Sequence, residues 1–311
     1  MSGVVLVTGA SGFAGSHLLE HLAASHEVVG WSRTPPPPGI TGLARWQQVD
    51  LLDGDGVAAA IREIRPSLVF HCAGLPQVAE SWANTSAPLA VNVLGTHRLM
   101  TALRVNDVRC RVLVTGSAHV YAPSPVALTE EDALAPASPY ALSKLAQEQL
   151  ARLAVAEDGV EVIVTRSFNH TGARQAASFV GPGIARQIAL IERGEQEPVI
   201  RVGNLDAVRD IMDVRDTVRA YTALIVAGVP GAVYNVASGV GRSIREVLEA
   251  LVQRARVPVR IEPDPARMRP SDVPILVGDT TRLRQATGWA PQIPFGQTID
   301  DLLAYWRQVG V

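Results

Sequence analysis

An apolar run broken by three evenly spaced glycines constrains this chain more than any other feature. The stretch "VVLVTGASGFAGSHLLEHL" begins at Val4 and places Gly9, Gly12 and Gly15 between a β-branched segment and an amphipathic one. A strand that must turn into a helix within so few residues needs backbone freedom at the first glycine. It needs close approach to a ligand at the second and close strand–helix packing at the third. The helix that follows offers unpaired N–H groups and the positive end of its dipole, which together suit a pyrophosphate. The spacing is G-x-x-G-x-x-G, and its place between strand and helix predicts a dinucleotide-binding α/β sheet.

The rest of the chain keeps this rhythm. Apolar runs at 4–8, 27–31, 46–49, 68–72, 111–115 and 161–165 alternate with helical periodicity near 15–24, 53–64, 87–105 and 139–156. The runs are apolar throughout, as in parallel strands covered on both faces. The expected fold class is α/β, a Rossmann-type doubly wound parallel sheet with a smaller α/β C-terminal substrate-binding lobe. After Phe168, Gly, Pro and Arg become frequent and the rhythm loosens. The expected division gives residues 1–168, about 209–237 and 274–289 to the cofactor domain. Residues of about 169–208, 238–273 and 290–311 go to the substrate lobe. A helix near 213–227 and a strand near 232–236 are expected to return to the sheet, and "PPPPG" (35–39) reads as a stiff loop.

Composition excludes several classes. The net charge is −2 with no basic block, so a broad electrostatic grip on nucleic acid is not expected. The two cysteines, Cys72 and Cys110, form no C-x-x-C pair, so neither a disulfide framework nor a thiolate metal site is expected. No apolar run reaches the length of a membrane span, and the N-terminal run lacks the basic flank of a signal peptide. The expected location is the cytoplasm.

The second predicted strand ends at Ser32, followed by Arg33, where an NAD-binding chain would carry a carboxylate for the adenosine ribose. A missing carboxylate removes repulsion against a 2′-phosphate, and an arginine can pair with one. NADP(H) is therefore favoured, with NAD(H) possible. Asp50, after the third strand, suits the adenine amino group. The small residues of "HCAG" (71–74) let a dinucleotide lie close.

Ser117 stands where the fifth strand stops, and Tyr140 and Lys144 are one helical turn apart on a shared face. The ammonium can lower the phenol's pKa, and a phenol so tuned can pass a proton to or from a sugar hydroxyl while Ser117 holds the same oxygen. The expected catalytic set is Ser117, Tyr140 and Lys144.

With these residues in view, the chain resembles the extended short-chain dehydrogenases/reductases acting on nucleotide sugars. The motifs that carry the resemblance are "TGASGFAG", "DLLD", "HCAG", "NVLGT" (92–96), "SAHVY", "PYALSK" and "YNVASG" (234–239). It implies that Gly9, Gly12, Phe13, Ala14, Gly15, Ser32, Arg33, Asp50, Leu51, Ala73, Gly74, Asn92, Thr115, Tyr140, Lys144 and Phe168 contact the cofactor. It also implies a homodimer formed through helices that include the Tyr140–Lys144 helix.

Three reactions share this machinery: 4,6-dehydration, 4-epimerisation and 4-keto reduction. In the dehydratases of this family an acid and a base follow the active-site Ser or Thr. Here those places hold Ala118 and His119. Alanine transfers no proton, and His119 reads as a polar residue at the rim of the substrate site, although an imidazole has the chemistry of a base. On the substrate side, "RSFNHTG" (166–172), "VGNLDAVRD" (202–210) and "RMRPSDVP" (267–274) resemble GDP-mannose 4,6-dehydratases and, more closely, GDP-4-keto-6-deoxy-D-mannose reductases. By that resemblance Asn169, Arg186, Arg209 and Arg269 hold the diphosphate, Asn204 and Leu205 meet the base, and Ser117 and His119 face the sugar. Guanidinium forks suit phosphate oxygens. The expected activity is reduction of the C4 ketone of GDP-4-keto-6-deoxy-D-mannose to GDP-D-rhamnose by NAD(P)H. A nucleotide-sugar 4-epimerase that keeps NAD bound is the main alternative. A GDP-mannose 4,6-dehydratase follows, and a non-catalytic cofactor-sensing protein on the same fold comes last.

Overall fold

The computed structural model describes residues 3–158, 160–268 and 273–309. Arg269, assigned above to the diphosphate, lies outside the described residues. The chain opens with β1 (Val5–Thr8), α1 (Phe13–Leu22), β2 (Val28–Ser32), β3 (Arg45–Gln48), α2 (Gly54–Ile64) and β4 (Leu68–His71). Next come α3 (Val78–Ala83), α4 (Ser86–Pro88), a π-helical stretch (Leu89–Leu94), α5 (Gly95–Val105) and β5 (Arg111–Thr115). Then follow α6 (Pro139–Asp158), β6 (Glu161–Ser167), β7 (Asn169–Thr171), α7 (Val180–Glu192), β8 (Val199–Val202) and β9 (Val208–Asp213). The chain closes with α8 (Val214–Ala227), β10 (Val233–Val236), β11 (Gly241–Ser243), α9 (Ile244–Val252), β12 (Arg260–Pro263), β13 (Ile275–Leu276), α10 (Thr281–Thr287) and α11 (Phe295–Gln308).

Among the described residues, seven strands form one parallel sheet in the order β10-β6-β5-β4-β1-β2-β3. The order reverses between β1 and β4, and a doubly wound sheet binds its ligand at that switch point, beyond the strands' carboxyl ends. The register brings those ends level, with Thr8 opposite both Trp31 and His71, and His71 opposite Val114. Each face is sealed by its own apolar cluster. One is built on Val5, Val7, Leu18, Phe70, Leu113 and Tyr221, the other on Leu6, Val29, Ile61, Val69, Leu99 and Val162. Alternate residues of the same strands feed the two clusters, which is why these strands read as continuous apolar runs.

The strand expected near 232–236 returns to the sheet as β10. β10 pairs with β6, but β9 joins β7, β11 and β13 in a separate sheet. The sequence of β9, Val-Arg-Asp-Ile-Met-Asp, intersperses charge with apolar residues, which a strand buried on both faces does not tolerate. The expected helix over 87–105 is also interrupted, with Leu89–Leu94 wound as a π-helix. A third cluster, including Ile184, Ile188, Val202, Leu248 and Leu302, sits beneath α7, α9 and α11.

α6 is fixed to β6 by a buried ion pair. Arg166 donates to both carboxylate oxygens of Glu148, at 2.9 and 2.7 Å, and to the Glu130 carbonyl at 3.0 Å. Removing one partner strands a charge in the interior. Arg166→Met is expected to cost about 3–5 kcal/mol in urea unfolding, with much of that loss recovered by adding Glu148→Leu.

Candidate active site

The glycine turn at the end of β1 is packed too tightly for any side chain. Gly9 has φ +64°, and a Cβ there would stand 2.7 Å from the backbone N and Cα of Ala73. A Cβ on Gly15 would stand 2.2 Å from the Gly9 carbonyl oxygen. α1, with Phe13 and Ala14 in its first turn, has Gly12 as its N-cap, and no side chain satisfies its first N–H groups. This cradle fits a dinucleotide pyrophosphate.

The other residues expected to touch the cofactor surround the same edge. Ser32 ends β2 and donates its hydroxyl to the Thr34 carbonyl, while Arg33 is exposed with its carbonyl held by the Gln48 amide at 2.9 Å. Asp50 accepts from the Leu52 N–H at 2.9 Å, and Leu51 is buried against Gly95. Asn92 is wholly buried; its Oδ1 accepts from the Leu75 N–H and its Nδ2 donates to Ser143, both at 2.9 Å. A Cβ on Gly74 would collide with Asn92 Oδ1. Phe168 is committed to a cluster with Ala118, Tyr121, Leu128, Ala237 and Leu276. Phe13 stacks on His170 of β7, with ring centroids 5.7 Å apart, so the glycine turn abuts the strand that carries Asn169.

Ser117, Tyr140 and Lys144 come together at the carboxyl end of β5. Ser117 caps the short 3₁₀ turn Ala118–Val120 and accepts from the His119 N–H at 3.3 Å. Burial raises the Tyr140 pKa, and the neighbouring Ser117 hydroxyl offsets part of that rise. Lys144 Nζ donates to the Thr115 carbonyl at 2.6 Å and to Gln147 Oε1 at 2.7 Å. Burial lowers its pKa from 10.5 to about 8. The ammonium form therefore prevails near neutrality, while the Tyr140 shift follows burial and the Ser117 hydroxyl. Lys144 is the only lysine among the 311 residues, against 27 arginines, a signal in the sequence that the expectations above did not use.

Beside this set lies a cavity of about 490 Å³ lined by His119, Asn169, Asn204, Leu205 and Arg209, among others. His119 lines it, and the His119 ring stands edge-on to Tyr140 at 6.1 Å, with Ser117 and Tyr140 both buried beside it. Burial, with a smaller contribution from Arg209, lowers the His119 pKa to about 4. Along β9 and its lead-in, Ala207, Arg209 and Ile211 line the cavity at the period of a strand. Asn169 turns a buried Oδ1 toward it with no partner. An acceptor left unpaired in the interior is costly, and a ligand hydroxyl or amine would satisfy it.

Arg186 does not line the cavity. On α7 the lining residues are Val180, Gly181, Pro182, Gly183, Ile184 and Gln187, and Arg186 is partly exposed. In its place the cavity takes Arg201 and Arg267, which the motif reading missed. Each had a neighbour in a recognised segment: Arg201 precedes "VGN", and Arg267 opens "RMRPSDVP".

A glycine turn beneath a Ser–Tyr–Lys set defines an oxidoreductase of the short-chain dehydrogenase/reductase type. More particularly, the chain belongs to the GDP-mannose 4,6 dehydratase family, whose model matches residues 6–302. It is 38% identical, over 97% of both chains, to the GDP-6-deoxy-D-mannose reductase of Pseudomonas aeruginosa. It superposes on the structure of RMD from the same organism, complexed with NADPH, with a TM-score of 0.87 at 36% identity, covering 98% of this chain and 99% of that one. MoeE5, solved with UDP-glucuronic acid and NAD, is 32% identical with a TM-score of 0.87, covering 98% of this chain and 99% of that chain.

If Tyr140 is the proton donor, Tyr140→Phe lowers turnover by roughly 10²–10⁴-fold. Cofactor affinity, measured by fluorescence titration, stays near wild type, and near-wild-type turnover would exclude the assignment.

Proposed function

We propose that this protein reduces the C4 ketone of GDP-4-keto-6-deoxy-D-mannose to GDP-D-rhamnose. The observation that carries this reading is the scarcity of proton-transfer groups around Tyr140. Ala118 is 1% exposed and faces the Tyr121–Phe168 cluster rather than the cavity. Glu80 is the one carboxylate among the described lining residues, and it is exposed on α3. A dehydratase needs an acid and a base beyond the tyrosine, whereas a ketone reductase needs one proton donor.

NADPH, held by Gly9, Gly12 and Gly15 with Arg33 at the 2′-phosphate, would supply the hydride for C4, and NADH is accommodated less well. Tyr140 gives its proton to the forming alkoxide, Ser117 holds that oxygen in place, and Lys144 stabilises the tyrosinate that remains. Arg201, Arg209 and Arg267 suit the diphosphate, Asn169 accepts from the ligand, and Asn204 and Leu205 meet the base. Burial holds His119 neutral above about pH 4, so it packs on Tyr140 and carries no positive charge into the sugar pocket.

We further propose a cytoplasmic homodimer. Leu142 and Leu153, three turns apart on α6, are exposed together with Leu89 and Leu94. These side chains form an apolar face suited to a second copy.

With the keto sugar, NADPH absorbance is expected to fall one-for-one with product. With GDP-mannose in heavy water, no deuterium is expected at C5 and no oxygen loss at C6. C5 labelling with loss of the C6 oxygen would establish a dehydratase using His119. Product without net NADPH loss would establish an epimerase.

Arg33→Ala is expected to raise the KM for NADPH roughly tenfold, the scale of one lost charge-assisted hydrogen bond, and to spare NADH. Equal effects on both cofactors would remove Arg33 from the 2′-phosphate.

A further inference from the structure

A buried chain of hydrogen bonds links the end of β1 to Lys144, and elementary valence fixes the direction of every bond in it. An ammonium can only donate, so Gln147 must turn Oε1 toward Lys144, at 2.7 Å, and Nε2 toward Thr96 Oγ1, at 2.8 Å. Thr96 gives its single proton to the Asn92 carbonyl at 2.6 Å. His71 Nε2, 2.8 Å from Thr96 Oγ1, therefore donates to it. His71 is then the neutral Nε2–H tautomer, and its bare Nδ1 receives the proton of Thr8 Oγ1 at 2.8 Å. Thr8 Oγ1 in turn accepts from the Ala73 N–H at 3.2 Å. Thr8, His71, Thr96 and Gln147 are fully buried, and the chain has no second arrangement that leaves each member satisfied.

We propose that Gln147 is a positioning residue for Lys144. Its carbonyl oxygen, locked in orientation by Thr96 and the neutral His71, fixes where the ammonium sits. The Thr115 carbonyl takes a second proton, leaving the third uncommitted. The inference rests on the reading that Lys144 serves in catalysis. The titratable groups beside Lys144 are His71 and Cys72 at the end of β4, and Tyr140 lies one turn earlier on α6. Burial pushes Cys72 up to about 12, and burial with the nearby Lys144 charge holds His71 down to about 3. Neither carries charge near neutrality, so the titration of Lys144 reports on Gln147 and Tyr140.

Because Lys144 is the only lysine, ¹³Cε-lysine labelling gives one side-chain resonance whose titration can be followed in the cofactor-free protein. The wild type is expected to titrate near 8. Gln147→Leu removes an acceptor from the charged form and should move the midpoint down by about one pH unit. Gln147→Glu supplies a carboxylate and should move it up by a similar amount. Turnover of Gln147→Leu should fall by roughly tenfold, its high-pH limb following the NMR midpoint.

Opposite shifts support the proposal; midpoints that stay put, or move together, overturn it. If Gln147→Leu does not fold, the near-isosteric Gln147→Glu carries the test through its upward shift. Lys144→Met keeps the two readings apart. Wild-type turnover in that variant would end the catalytic reading without touching the NMR result. An inactive Lys144→Met alongside unmoved midpoints would end the Gln147 proposal alone.

Discussion

The bidentate pairing of Arg166 with Glu148 is the contact on which the geometry of the site depends. Glu148 lies four residues after Lys144 on α6, and Arg166 lies on β6, so the pair sets the height of the helix above the sheet. The same guanidinium stacks over the Tyr121 ring, with Cζ 4.8 Å from its centroid, and the Tyr121 hydroxyl donates to Asn235 at 2.6 Å. Tyr121 ends the segment that begins at Ser117. One buried cation is therefore the common reference for both motifs, "SAHVY" and "PYALSK". A proton passed between Ser117, Tyr140 and a substrate oxygen tolerates little misplacement, and this shared anchor keeps the groups in register.

On the other side of the cleft, charge is handled by a different device. The Asp210 carboxylate accepts from the backbone of Ser238 and Gly239, at 2.8 Å each, and from the Ser238 hydroxyl at 2.7 Å. Those bonds satisfy a fully buried acid next to Arg209. Burial raises the Asp210 pKa while these donors lower it. β9 thus directs Arg209 and Ile211 into the cavity and buries Asp210 and Met212 elsewhere, which is how a strand rich in charge can line a cavity.

The parts of this molecule that were legible in its sequence are those governed by short-range rules. The glycine turn, the apolar strands β1, β2, β4, β5 and β6 and the Tyr140–Lys144 spacing depend on neighbours a few residues away. Arg186 falls outside the cavity lining, and composition does not say which residues of α7 turn inward. β9 was not expected as a strand, because a sequence that mixes apolar and charged residues gives no sign of its partners. The π-helical stretch at Leu89–Leu94 shares its pattern with an ordinary helix. Gln147 passed unremarked because its role depends on Thr96, 51 residues earlier in the chain.

With a single lysine, 6% exposed, and 27 arginines, the protein carries its basic side-chain chemistry on guanidinium groups and offers almost no side-chain primary amine. Guanidinium groups remain charged at any pH the fold survives and do not acylate under ordinary conditions. Reagents or enzymes that modify ε-amino groups, by acetylation or isopeptide linkage, find one side-chain target, and it lies inside the candidate site. Any such modification of a lysine would need the α6 region to open first. It would therefore report local unfolding rather than surface accessibility.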